Sequence, residues 1–406
     1  MKKIGVAVIG LGGRGEYNIN TTLYVSGDDI VITAVCDIYE DRCDKTAKLI
    51  YDKTGLQVYK TTDYKEILKR DDVQVVMITT SWETHVPIAI DAMRAGKIVG
   101  MEVGGTMSVE ECFELVKVYE ETKTPFMFLE NCCYNKNELL VRNMVKAGLF
   151  GEIVHCHGSY SHDCREQILH GKEWRHYRLN HYLNRNCENY PTHDLGPIAK
   201  IIGINRGNRM VSLISVASKA ASLEEYVREH PDAIPNKDLI GKKFNQGDIV
   251  TTIITCENGE TVTLTLDTTL PRFYSREFTV RGTKGMYEEN VNAVVIESSD
   301  SNNPIVEHQL KIDSAKDYEQ EYLPDYWKNI TQEEIALGHG GMDKYMFDEF
   351  YNCVRYNKPM PIDVYDAAAW MVITPLSEES IAKGGVKVDI PDFTNGKWKT
   401  RERFDV

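Results

Sequence analysis

The chain has 406 residues, 42% hydrophobic and 27% charged, the balance of a water-soluble globular protein long enough for two or three domains. A formal net charge of −14 argues against a nucleic-acid partner. No apolar run approaches the roughly 20 residues of a membrane helix, and Met1-Lys2-Lys3 leads straight into an apolar strand with no room for an export signal, so the expected location is cytoplasmic.

Ile4 to Gly15, IGVAVIGLGGRG, carries the first strong signal. Val6, Val8 and Ile9 read as a buried strand. The strand breaks into a G-x-G-x-x-G loop of Gly10, Gly12 and Gly15, with Gly13 and Arg14 between the last two. In a dinucleotide site the first glycine makes the tight turn and the second admits the pyrophosphate. The third lets the helix pack on the strand, and the helix N-terminus receives the anion. A second apolar strand, Ile30 to Cys36, ends at Asp37, where a ribose-binding acid is expected. No Arg follows it directly, which favours NAD over NADP.

Strand and helix patterns then alternate. Helices are expected over 40–53, 63–70, 83–95 and 108–122, and strands over 73–79, 98–101 and 126–129. Ser108 followed by Glu111 reads as a capping box. This repetition predicts a doubly wound parallel sheet. The carboxyl ends of its strands would gather residues 10–15, Asp37, 79–85, 101–104 and 130–134 into one crevice.

From Asn135 the pattern changes. After a helix over 137–147 come alternating strands over 152–161, 210–217, 249–255, 261–268, 277–281 and 293–297, with Asn258-Gly259 as a hairpin turn. These predict an open, mainly antiparallel sheet, interrupted by a polar, aromatic-rich insert over 162–190. Helices follow over 342–356 and 364–382. The expected domains are 1–131 and 132–406, with the last helices and tail packing back on the first.

The ten cysteines form no C-x-x-C pair and read as reduced thiols. His155-Cys156-His157 with His162-Asp163-Cys164 is the one metal-like patch. On a strand the two outer histidines share a face and Cys156 points away, so polar residues lining a sheet is the preferred reading, and no metal is expected. Tyr190-Pro191-Thr192-His193 precedes an apolar helix, which puts His193 at a helix start where a neutral, proton-accepting imidazole is favoured. Gly338-His339-Gly340-Gly341 places a second His on an unusually free backbone. Leu270 to Arg276, with Tyr274, and the insert, with Arg178, suit an uncharged polar ligand such as a sugar, or a solvated strand end and an interface.

The N-terminal half resembles the Gfo/Idh/MocA oxidoreductase superfamily, which implies a Rossmann domain followed by an α+β substrate domain. Where many members carry Glu-Lys-Pro after the fifth strand, this chain has Glu102-Val103-Gly104. Stretches along nearly the whole chain are similar to glycoside hydrolase family 109, the NAD-dependent α-N-acetylgalactosaminidases. They include Ser81 to His85, Glu130 to Tyr134, Gly158 to Asp163, Tyr190 to His193, Ile204 to Arg209, Leu270 to Arg276, Gly338 to Asp343 and Pro391 to Trp398.

That resemblance implies a redox route without paired carboxylates. The sugar is oxidised at C3 with NAD+, C2 loses a proton, the C1 leaving group departs, water adds, and C3 is reduced again. Gly12, Gly13, Arg14, Gly15, Asp37, Trp82, His85, Glu102, Val103 and Asn131 would line NAD, beside Gly10 of the loop. Tyr160, Arg178, Tyr190, His193 and Tyr274 would hold the sugar. His193, with Tyr190, would take the C3 hydroxyl proton, Tyr274 would lie near the C2 proton, and His339 would serve the leaving oxygen and then water. A small glycoside substrate and a homo-oligomer formed through the open sheet face are also implied.

The chain departs from the family at Leu337, where another glycine is usual, in a shortened insert after Asp163, and in a Trp-Arg pair that aligns with Tyr177-Arg178. The alternatives are an NAD-dependent sugar C3 dehydrogenase, a redox hydrolase of other glycosides, and a non-catalytic sensor.

Overall fold

The computed structural model describes residues 3–297 and 311–403. They fall into two compact units, one running to Tyr134 and taking in Ile330–Ala368, the other formed by Asn135–Asn329 and Ala369–Arg403. Residues 330–368, beyond the expected boundary at 131, thus count with the first unit, whereas the tail over 369–403 counts with the second.

The first unit is built on six parallel strands: β1 Ile4–Ile9, β2 Ile30–Cys36, β3 Tyr59–Thr61, β4 Val75–Ile78, β5 Ile98–Met101 and β6 Phe126–Phe128. They lie in the order β3-β2-β1-β4-β5-β6, the doubly wound order in which the chain reverses direction beside β1. All four residues of β4 are buried, as a strand covered on both faces requires. Edge strand β3 has two exposed residues and no apolar run. Helix Met342–Tyr356 belongs here because its apolar side chains complete this core. Phe350 lies so close to β5 that a Cβ on Gly100 would sit 3.0 Å from its ring. Arg355 pairs with Asp29 at 2.8 Å.

The capping box closes only on one side. Ser108 Oγ accepts from the Glu111 N–H at 3.3 Å, but the Glu111 carboxylate accepts from the Met107 N–H at 2.9 Å instead of from Ser108. The expected helix over 364–382 is two helices, Val364–Met371 and Ile373–Ala382. Pro375 stands in the first turn of the second, where a missing N–H costs nothing, and inside one long helix it would break the ladder.

The second unit carries nine described strands: β7 Ile153–Ser161, β8 Met210–Ala217, β9 Ile249–Cys256, β10 Thr261–Asp267, β11 Thr279–Gly282, β12 Gly285–Glu288, β13 Ala293–Ile296, β14 Asp313–Ser314 and β15 Val388–Asp389. Their order is β14-β13-β12-β11-β7-β10-β9-β8-β15, antiparallel except for the central β7–β10 pair. The hairpin turn at Asn258-Gly259 joins β9 to β10, with Gly259 at φ +100°. Helix Thr192–Ile202 covers β7. Gly158 makes that possible, since a Cβ there would lie 2.6 Å from the Asp194 carbonyl oxygen.

All ten cysteines are buried and none is bridged. No helix among the described residues is long and apolar enough to cross a membrane.

Candidate active site

In the first unit the site grows from the turn between β1 and helix Gly13–Val25. Gly10 has φ +96°, and a Cβ on it would meet the Thr79 carbonyl at 2.6 Å. A Cβ on Gly15 would lie 2.1 Å from the Gly10 oxygen, so only glycine lets the helix start against the strand. In front of the helix start the space is open: nothing stands within 4 Å of the Cβ position of Gly13. First-turn N–H groups lacking intrahelical partners therefore face a cradle fit for a pyrophosphate.

At the end of β2, Asp37 is buried, and its carboxylate accepts from the Leu11 N–H at 2.7 Å and the Tyr39 N–H at 3.0 Å. An arginine does approach it. Arg42, in the first turn of helix Glu40–Thr54, brings Nη1 to 3.6 Å from Asp37 and lies over the Tyr39 ring.

Two further cofactor candidates of this unit, Glu102 and Asn131, gather around Arg14. Its Nε donates to Glu102 at 2.8 Å, and Asn18 donates to the same carboxylate at 2.8 Å. Its two other nitrogens fork onto Asp343 at 2.8 and 3.1 Å, while Asn131 donates to Asp343 at 2.6 Å. His339 Nδ1 is 2.8 Å from Asp343. Burial would raise the Asp343 pKa, but Arg14 and the bond from His339 outweigh it and hold the carboxyl well below the usual range. Asn18 and Asp343 carried no role in the sequence reading.

Trp82 and His85 open helix Trp82–Arg94, and both are buried. His85 Nε2 is 3.1 Å from the Thr80 carbonyl, and burial pulls its pKa down to about 4, so the ring is neutral at neutral pH. Trp82 lies against Gly104, where a Cβ would come within 2.2 Å of the indole. Val103 is buried beside it.

In the second unit a ring of side chains forms at the end of β7. Tyr160 and Tyr190 have ring centroids 4.5 Å apart, and His193 lies 4.8 Å from Tyr190 and 5.7 Å from Tyr160. Tyr190 Oη and His193 Nε2 are 3.4 Å apart. Arg178, at the start of helix Arg178–Asn184, is buried, donates to Tyr160 Oη at 3.3 Å and stands 5.0 Å over the Tyr190 ring. Burial pushes the Tyr160 hydroxyl up to about 12, so it stays protonated and able to donate. Tyr274 is half exposed and reaches this group through His162, whose ring is 5.5 Å from it and 6.2 Å from Tyr160. The helix start around His193 has no side-chain cap. The metal-like patch is dispersed among sheet partners: His155 contacts Thr261 at 2.9 Å, His157 contacts Thr265 at 3.2 Å, and Asp163 pairs with Arg165.

Residues 134–400 match the family described as glycosyl hydrolase 109, C-terminal domain, and residues 4–129 match the oxidoreductase family with an NAD-binding Rossmann fold. The chain belongs to glycosyl hydrolase family 109. An α-N-acetylgalactosaminidase of Tannerella forsythia is 38% identical across 97% of this chain and 87% of that protein. A glycosyl hydrolase family 109 protein of Parabacteroides distasonis is 37% identical across 98% and 89%.

Among solved structures, a levoglucosan dehydrogenase in complex with NADH aligns over 96% of this chain and 100% of that one, with a TM-score of 0.71 at 18% identity. A putative myo-inositol dehydrogenase of Sinorhizobium meliloti aligns over 96% and 100%, with a TM-score of 0.63 at 17% identity. At such identities the likeness is one of fold. It agrees with the strand order of the first unit, and the open cradle before Gly13 suits the dinucleotide that this family's Rossmann domain takes up.

Proposed function

We propose that this family 109 glycosidase cleaves α-N-acetylgalactosaminides, with β-linked ones also accessible, by oxidation at C3, elimination, water addition and re-reduction. The observation that carries this is the presence in one chain of a dinucleotide cradle in the first unit and, in the second, an aromatic, arginine-backed group containing a Tyr–His pair. The side chains of that group, Tyr160, Arg178, Tyr190, His193 and Tyr274, include no carboxylate, whereas ordinary glycosidases work with a pair of them. The sequence likeness to the Tannerella forsythia α-N-acetylgalactosaminidase supports the choice of sugar.

Gly10, Gly12, Gly13, Arg14, Gly15, Asp37, Trp82, His85, Glu102, Val103 and Asn131 hold the cofactor. Bound NAD supplies the oxidation of the sugar at C3 and the later reduction that restores it, so turnover consumes none. Tyr160, Arg178, Tyr190, His193 and Tyr274 hold the sugar through ring faces and hydrogen-bonding heads.

His193, with Tyr190 beside it, takes the proton of the C3 hydroxyl as general base. Tyr274 faces the C2 proton that the C3 ketone has acidified. His339 protonates the leaving oxygen and then activates water. Half-exposed Ile214, Val216 and Ile253 on β8 and β9 support assembly of copies through the outer face of the second sheet.

The test is proton NMR of p-nitrophenyl α-N-acetylgalactosaminide with purified holoenzyme in heavy water. Free sugar carrying deuterium at C2 with no net NADH is expected. Sugar without deuterium, net NADH or intact substrate overturns the reading.

A further inference from the structure

A single carboxylate in the first unit serves three other side chains. Asp343, the second residue of helix Met342–Tyr356, is 1% exposed. It takes the fork of Arg14, the amide of Asn131 and the ring nitrogen of His339. A position in the first helical turn favours its negative charge.

An ionised carboxylate can only accept, so a 2.8 Å contact from His339 Nδ1 to Asp343 Oδ2 requires the proton on Nδ1. Arg14 Nη1, 3.3 Å from that nitrogen, is then a second donor to the same oxygen and not a partner of the ring. In the neutral ring the lone pair is left on Nε2, and the side chain is half exposed. The backbone around the ring is otherwise unsuited to holding it still. Gly338, His339, Gly340 and Gly341 have φ of +116°, +44°, +68° and +102°, the second an unusual value for a residue with a Cβ. Leu337 anchors the stretch through its carbonyl, which accepts from Thr21 at 3.1 Å, but that bond leaves the His339 ring free to turn.

We infer that Asp343 is the positioning residue of His339. It fixes the Nδ1–H tautomer, presents Nε2 as the atom that exchanges a proton with the leaving oxygen and then with water, and ties the ring through Arg14 to the dinucleotide loop. This rests on the proposed acid–base role of His339. The histidine alone would leave the choice between its two nitrogens open. The buried acid closes it, as a carboxylate does for an imidazole base elsewhere.

The test compares wild type, Asp343→Asn and His339→Ala as holoenzymes, with bound NAD measured after denaturation. Each is assayed on methyl and on p-nitrophenyl α-N-acetylgalactosaminide. A methoxide leaving group needs a proton, whereas p-nitrophenolate departs without one. D343N is expected to keep its NAD and to lose at least ~10-fold on the methyl glycoside, toward the ~10²–10⁴-fold of a missing acid–base group, and to lose less on the p-nitrophenyl one, where only the water step still calls on Nε2.

A structural role alone would slow both substrates by the same factor, and that result overturns the inference. If H339A cleaves the methyl glycoside at the wild-type rate, the acid–base reading itself fails. If H339A is slow while D343N matches wild type, only the role of Asp343 fails. Nitrogen-15 NMR of the wild-type ring, assigned by its loss in H339A, needs no D343N protein. A protonated Nδ1 is expected, and a proton on Nε2 overturns the inference.

Discussion

The second unit hangs its proposed general base on one close approach, and Gly158→Ala tests it. A Cβ at 158 would stand 2.6 Å from the Asp194 oxygen and 2.9 Å from its Cβ, where an ordinary contact begins near 3.4 Å. Helix Thr192–Ile202 must therefore retreat by about 0.8 Å, or β7 must yield by the same amount. Overpacking of this kind costs ~1–3 kcal/mol. For the second unit, roughly 230 residues unfolding as one transition, that lowers the melting temperature by ~2–12 °C.

The neighbour that moves with Asp194 is His193, while Tyr160 stays on β7, so their 5.7 Å ring spacing changes. A displacement approaching 1 Å costs up to ~10²-fold in rate. The assays are thermal unfolding and kcat on p-nitrophenyl α-N-acetylgalactosaminide, with NAD content as the internal control because the dinucleotide loop lies in the other unit. A variant with wild-type melting temperature and rate would show that the helix does not bear on Gly158. Lower stability with an unchanged kcat would break the link from packing to His193.

Two further outcomes follow from buried groups of the first unit. His85 is neutral in the fold down to about pH 4, while the unfolded chain binds its proton from about pH 6.5. Stability is therefore full above that range and falls by ~3 kcal/mol as pH descends through it. His85→Gln, which can still donate to Thr80, is expected to lessen the loss in urea unfolding followed at several pH values, and an equal loss refutes the assignment. Gly15→Ala drives a Cβ to 2.1 Å from the Gly10 oxygen, so the turn must open. NAD affinity measured by calorimetry is expected to drop at least ~10-fold, and wild-type affinity would mean that the turn is not the cofactor cradle.

The fold was legible wherever local sequence and burial agree. β4 and β5 read as strands because both faces are covered, and Ser108 marked its helix start by a bond that is present. Short edge strands escaped. Tyr59–Thr61 and Val388–Asp389 hold only three and two residues and alternate too little to register. The apolar period continues across Val372, so one helix was read where Pro375 divides two. That Met342–Tyr356 has an apolar face is written in its spacing. Which sheet the face covers is not, because the fit of Phe350 onto Gly100 joins residues 250 positions apart.

The candidate site divides the same way. The glycines and Asp37 announce themselves because the turn is local, whereas Arg42 reaches Asp37 from one helical turn further on, beyond the neighbouring residues that the cofactor argument considered. Asp343 looks in sequence like any acid favoured at a helix start, and Arg14 is marked for the cofactor by the family resemblance and not by its place in the loop. The strand-end rule already gathers residues 14, 102 and 131 into one crevice, and the fold adds Asp343 as the acid that joins Arg14 to Asn131.

Gly104 carries the same lesson with the opposite sign. Against the superfamily's Glu-Lys-Pro, Glu102-Val103-Gly104 reads as a missing lysine. The structure shows instead a position with φ +148°, which no proline can adopt, and an indole lying where any side chain would go. A side chain at 104 and the Trp82 indole as packed therefore exclude one another. Once the indole occupies that ground, a lysine-bearing turn of the usual form cannot be rebuilt there. Val103→Lys alone should accordingly fail to convert the chain into a sugar dehydrogenase.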